Sequence, residues 1–326
     1  MRAAMAVVAG AAALCITSPA LAWGYDGHRA VGAMADQLIR GSNAEKQVKA
    51  LLLPGESLEK IAVWMDCIKG TTAGDACGPQ TPEMLAYVQA NPLHAEYHYT
   101  NLPFQALAYQ QRAVGAKGHD IVQSMRQAVW VLQGKDGAAV NPHKFTKRQA
   151  LLLLAHLAGD LHQPLHVGNA YLDKQGAYVA PVKPEQVDDV AVFSTAGGNA
   201  LLLEGSRSLH NYWDYLLVEY AMKRGEAQTP EQYARMALAG KPVVAEFDGD
   251  PAEWAPLLAA EALAVSKRAH AGLKVGPMQA VPTRETRVSW QVTAPDDYAV
   301  TSAALVKEQL AKAGIRFAAM LQAIWP

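Results

Sequence analysis

The run from Thr146 to His166 limits the possible folds of this chain more than any other segment. Thr146-Lys147-Arg148-Gln149 is a capping box, Ala150 to Ala155 is apolar without interruption, and Pro164 stops the helix. A helix that is apolar on every side belongs in the middle of a bundle. Yet His156 and Asp160 stand four residues apart within it, an offset of about 40° that puts both on one face. A carboxylate on such a helix is costly unless it is paired or bound to a metal. The same His-x-x-x-Asp spacing returns at His210 and Asp214, and His166 follows just past Pro164, where the chain turns back. Imidazole nitrogen combined with carboxylate oxygen suits zinc. A single pair of this kind is more often an ordinary hydrogen bond, and that alternative stays open on spacing alone.

The rest of the chain also reads as helical. Helices are expected over Arg29–Ile39, His119–Leu132, Tyr212–Met222, Pro230–Leu238 and Trp254–Lys267. Near the C-terminus, Val306, Leu310, Phe317, Leu321 and Ile324 recur at helical spacing, with Lys307, Glu308, Lys312 and Arg316 on the expected wet face. Few stretches alternate with period two; Tyr178–Val192, with Val179, Val182, Val187 and Val190, is a candidate hairpin. Long loops are expected between about Leu172 and Ser206 and between Gly272 and Asp297. The fold class expected is all-α: one helical bundle domain over residues 23–326.

Residues 1–22 read as a signal peptide: Arg2, the apolar run Ala3 to Ile16, Ser18, Pro19 and the small-x-small site Ala20-Leu21-Ala22. Cleavage there makes Trp23 the mature N-terminus and implies export to the periplasm or the medium. Cys15 follows Leu14 rather than a small residue, which argues against lipidation. Beyond the leader no apolar run of about 18 residues occurs, so no membrane anchor is expected. Cys67 and Cys77, bracketing Gly70, Gly74 and Asp75, read as one disulfide in an exported chain. The formal net charge is −1, and Arg2 is the only charge before Trp23, so the remainder carries −2. That excludes a broad basic face gripping duplex DNA; any nucleic acid must be held locally, a few phosphates at a time.

Of the other histidines, His119, His143 and His270 neighbour Lys or Arg and read as solvated, and His94 follows a proline turn. His162, six residues after His156, belongs on a different face, outside the ligand set or toward solvent.

Trp23-Gly-Tyr-Asp-Gly-His28, Trp64-Met-Asp66, Tyr97-His98-Tyr99, His156 to His166, Gly197-Gly-Asn199 and Leu209-His210-Asn-Tyr-Trp-Asp214 occur in one order. Together they resemble the S1/P1 family of zinc-dependent single-strand nucleases, and the Trp start coincides with the cleavage site. The resemblance implies a helical phospholipase C/nuclease-type fold and three zinc ions. Asp66, His98, His156 and Asp160 would hold the first zinc. The amino group and carbonyl of Trp23, with His28 and a shared Asp160, would hold the second, and His166, His210 and Asp214 the third. Lys69 falls where the family has a basic residue near the scissile phosphate; a solvated lysine at a loop edge is the alternative.

By the same resemblance, Tyr99 would stack on a base and Asn101 would read a base edge, although the family more often has an acid there. The implied substrates are single-stranded DNA or RNA and 3′-nucleotides, cut to leave 5′-phosphates by a monomeric enzyme. Zinc-dependent phospholipase C shares the fold, but it has a longer gap after the terminal Trp and a glutamate as last ligand. A non-catalytic zinc binder would be favoured by a missing ligand, and all nine positions are filled.

Overall fold

The computed structural model describes residues 23–69, 77–135, 137–203, 206–224 and 226–326. The leader and the loop residues Gly70, Gly74 and Asp75 lie outside the described residues.

The central helix spans Lys147–Asp160 and is buried at every position from Ala150 onward. Its capping box forms as the sequence requires: Thr146 Oγ1 accepts from Gln149 N (3.1 Å), and Gln149 Oε1 accepts from Thr146 N (3.0 Å). The Ile121–Leu132 helix packs along it. Asp120 starts that helix by accepting from Val122 N and Gln123 N. The Gly24–Leu38 helix packs against the C-terminal helix Tyr298–Ile324. Their contact is close because a Cβ on Gly314 would lie 2.6 Å from Met34 Cβ.

A second close approach sets up the site. A Cβ on Gly32 would lie 2.4 Å from the Leu58 carbonyl oxygen, so the short Leu58–Ile61 helix rests directly on Gly24–Leu38. Asp36 caps it, accepting from Leu58 N (3.1 Å) and Glu59 N (3.0 Å). This anchors Ala62 and the following turn Trp64–Cys67, which carries Asp66.

The helical fold matches the sequence pattern, but several details differ. Both expected long loops contain strands. Tyr171–Leu172 pairs antiparallel with Tyr178–Val179 and with Phe193–Ser194. The valine alternation is not a buried-face hairpin: Val182 and Val190 are exposed, and only Tyr178–Val179 of that stretch joins the sheet. A four-stranded sheet runs Arg207–Ser208, Leu201–Leu203, Ser289–Thr293, Lys274–Gln279, with its two middle strands parallel. Helices Asn43–Leu51 and Pro82–Ala90, not expected, are each started by a hydroxyl cap, from Ser42 and Thr81. Arg316 is not on a wet face. It is buried, and its guanidinium makes two hydrogen bonds to Glu261 (2.7 and 2.8 Å). His270, expected in solvent, is buried and stacks on Phe104. His162 is also buried, its Nδ1 donating to Ala158 O (2.8 Å). His94 is buried at the start of the His94–His98 turn. His119 and His143 are half-buried, bonded to Glu96 and to the Tyr97 hydroxyl.

Candidate metal centre

Five segments converge on one buried cluster. The central helix supplies His156 and Asp160, and the turn that follows supplies His166. A short parallel pairing of Leu102–Pro103 with Gly168–Asn169 ties that turn to the His98–Asn101 segment, where Thr100 N donates to His166 O (2.8 Å). Asp66 comes from the Trp64–Cys67 turn and His28 from the first helix. His210 and Asp214 come from a helix that runs from Leu209 to Arg224 through a π turn at Tyr212–Leu216. Such π turns occur often at functional sites; Ser208 starts this helix, its Oγ accepting from Asn211 N (3.1 Å).

Asp160 is the hub. Its Oδ2 lies 2.9 Å from His98 Nδ1 and 3.1 Å from His156 Nε2, and its Oδ1 lies 3.2 Å from His28 Nε2. Asp66 Oδ1 approaches His156 Nε2 and His98 Nδ1 at 3.8 and 3.9 Å. His166, His210 and Asp214 form a further donor group, with His210 Nε2 at 3.3 Å from Asp214 Oδ2. Trp23 is fully buried, and its backbone N lies 3.2 Å from Asp214 Oδ1. Trp23 and Gly24 both have left-handed φ, 45° and 54°, a rare conformation for Trp that turns the backbone at this point into the cluster. All nine expected ligand positions are therefore brought together.

Backbone carbonyls orient the imidazoles. Nδ1 of His156 donates to Ala62 O (2.7 Å), that of His166 to His98 O (2.7 Å), and that of His210 to Gly197 O (2.8 Å). Each bond fixes a tautomer that leaves Nε2 with its lone pair, the arrangement metal-binding histidines use. Gly197, at φ 62°, is required because a Cβ would lie 2.6 Å from Leu165 O.

Burial pushes His98 and His166 down to about 3 and also lowers His28 and His210. For His156 burial opposes the charged form, but Asp160 and Asp66 outweigh it and raise the pKa. Burial likewise opposes ionisation of Asp160, which His156 and His166 overcome, holding it well below the usual carboxylate range. Burial pushes Asp214 well above that range, against a Gln163 hydrogen bond and with repulsion from Asp160 and Asp66.

The neutral imidazoles of His28, His98, His166 and His210, together with the crowded carboxylates around His156, make a donor set that calls for cations. The buried atoms without a hydrogen-bond partner agree: Asp66 Oδ2, His98 Nε2, Asp160 Oδ1, His166 Nε2 and Asp214 Oδ2. This nitrogen and oxygen set fits zinc.

A cavity of about 350 Å³ opens beside the cluster, lined in part by Lys69, Tyr99, Asn101 and His210. Lys69 is not a solvated loop-edge lysine: its Nζ lies 2.9 Å from Asp66 Oδ1. The Cys67–Cys77 disulfide is formed and flanks it. Sequence reasoning gave no role to Gln163, which donates to Asp214 Oδ1 (2.7 Å), or to Asn199, Arg284 and Glu285, which also line the cavity. Gln163 and Asn199 sit inside motif segments and could have been singled out; Arg284 and Glu285 sit in a loop with no motif.

A family model described as S1/P1 Nuclease matches residues 23–326. Endonuclease 2 of Arabidopsis thaliana is 26% identical over 315 residues, covering 93% of this chain and 90% of that protein. Endonuclease 4 of the same plant is 24% identical over 314 residues, 94% and 90% of the two chains.

Proposed function

The chain belongs to the S1/P1 nuclease family, and on that premise we propose that it is an exported tri-zinc endonuclease acting on single-stranded DNA and RNA. Membership of a zinc-dependent family of hydrolytic nucleases rests on the family match and the endonuclease relatives. The proposed products carry 5′-phosphates, and 3′-nucleotides are further substrates. The observation that carries this reading is the adjacency of three buried His/Asp donor groups to a cavity holding both a cation and an aromatic ring.

In this reading Asp66, His98, His156 and Asp160 hold one zinc, Trp23, His28 and Asp160 a second, and His166, His210 and Asp214 a third. Bound zinc supplies Lewis acidity toward a phosphate and activates water. The protein does the rest by position. Lys69, held against Asp66, presents positive charge where a phosphate enters the cavity. Tyr99, half-buried at the same cavity, offers a ring for an unpaired base to stack on, which favours single strands. The leader reading adds export, with cleavage after Ala22 freeing the Trp23 amine, and the enzyme acts as a monomer.

Zinc analysis of the processed protein alongside single-stranded DNA hydrolysis tests the proposal. Three equivalents and turnover are expected. His156→Ala and Asp214→Ala should each abolish turnover and lower zinc content, a larger loss than the roughly 10- to 100-fold typical when only an outer partner is removed. Near-normal turnover in either variant refutes the ligand assignment. Hydrolysis of phosphatidylcholine instead of DNA refutes the substrate class.

A further inference from the structure

The rim of the cavity carries a feature that the nine donor positions do not explain. Residues 283–286 form a turn locked by hydroxyls. Thr283 Oγ1 accepts from Thr286 N (3.1 Å) and Glu285 N (3.3 Å), and Thr286 Oγ1 donates to Val288 O (2.8 Å). The backbone closes it, Thr283 N donating to Thr286 O (2.8 Å). The turn presents Arg284 and Glu285 side by side, Nε to Oε1 at 3.9 Å, both lining the cavity with Tyr99, Asn101 and Asn199. Glu285 shares this lining with the Tyr99 ring on one side and the His210 metal donor on the other.

A base stacked on Tyr99 has an edge to turn toward this rim. A guanidinium offers only donors and a carboxylate only acceptors. The Watson–Crick edge of guanine reads acceptor, donor, donor, through O6, N1–H and the N2 amino group. That sequence complements a guanidinium beside a carboxylate. Adenine and cytosine place an amino donor against the guanidinium, and uracil places its O2 acceptor against the carboxylate. The Asn101 carboxamide has a donor and an acceptor and fits any base.

We propose that the Arg284–Glu285 pair selects guanine as the base held in this cavity, Glu285 accepting from N1–H and the N2 amino group and Arg284 donating to O6. This rests on the nucleotide substrate proposed above. It assigns the discriminating acid to a loop far in sequence from Asn101.

Two measurements on the zinc-loaded protein test it: equilibrium binding of guanosine and adenosine 5′-monophosphates, and kcat/KM on the four 3′-mononucleotides. Guanine is expected to lead adenine by about tenfold in both, within the range for a two-bond contact to a base. Glu285→Gln should bring the ratio to within about twofold through loss on guanine, and Glu285→Asp should keep part of the preference. An unchanged ratio in Glu285→Gln, or an equal loss on all four bases, overturns the assignment. If the unaltered protein hydrolyses none of the four, the 3′-nucleotidase part of the proposed function fails, and the binding ratio still decides the guanine proposal.

Discussion

His28 lies directly over Gly159: a Cβ at position 159 would sit 2.6 Å from His28 Nδ1. Only the missing side chain lets the imidazole stack on His156, ring centroids 3.9 Å apart, and bring Nε2 to Asp160. Gly159→Ala should therefore push His28 out of the cluster while the central helix persists. The expected result is loss of at least one zinc equivalent, with destabilisation of about 1–3 kcal/mol from overpacking. Metal analysis together with thermal melting checks it; full zinc content in the variant would show that His28 holds no metal.

Lys69→Ala should lower kcat more than it raises KM. A preorganised cation aimed at charge that develops in the transition state contributes roughly 2–4 kcal/mol, mainly to the chemical step. Steady-state kinetics on single-stranded DNA separates the two parameters. An unchanged kcat would leave Lys69 as a partner of Asp66 and nothing more.

An N-terminal extension should disable the enzyme without unfolding it. The backbone nitrogen of Trp23 sits at the cluster, 3.2 Å from Asp214 Oδ1. As an amide it has no lone pair for a metal, whereas a free α-amino group, with a pKa near 8, yields its proton to zinc at neutral pH. A protein carrying one extra residue before Trp23 should bind fewer zinc ions and turn over very slowly, with the helical circular dichroism of the processed form. Equal rates from an extended chain, verified intact by mass spectrometry, would exclude Trp23 as a ligand.

Acid should destabilise the protein in part through His270. Burial pushes its pKa from 6.5 down to about 4, while the unfolded chain keeps the ordinary value. The unfolded state therefore takes up the proton first. The contribution is complete above the unfolded pKa of 6.5 and is lost as pH falls toward about 4. It amounts to at most about 3 kcal/mol. His270→Phe keeps the stack on Phe104 and sacrifices one hydrogen bond, from Nδ1 to Ser266 O (2.9 Å). Urea denaturation at several pH values should show a flatter slope for the variant. Comparing it with the unaltered protein removes the acid sensitivity of zinc binding, which both share.

The cluster was legible because its residues break a strong local rule. A His and an Asp in a continuous apolar helix demand an explanation, and four-residue spacing puts them on one face. The short strands between Tyr171 and Ser194 were not legible for the opposite reason. Leu172 and Phe193 face each other in a pairing two residues long, too short to leave a period in the sequence. Arg316 looked solvated because its partner Glu261 is 55 residues away, on a different helix. Arg284 and Glu285 gave no signal at all. Charged residues in a polar loop are ordinary, and only the return of that loop to the cavity gives them a place.

Asp160 turns one carboxylate oxygen to His28 and the other to His98 and His156. In the proposed ligand sets the two zinc positions sharing it cannot fill independently. A cation at one oxygen orients the carboxylate for the other position and also draws off part of its charge. Linkage requires the effect to be mutual: whatever the first ion does to the affinity of the second, the second does to the first. Removal of zinc by a chelator should then depart from a simple hyperbola at these two positions. Half-loaded protein would be rare if orientation dominates and common if charge sharing does.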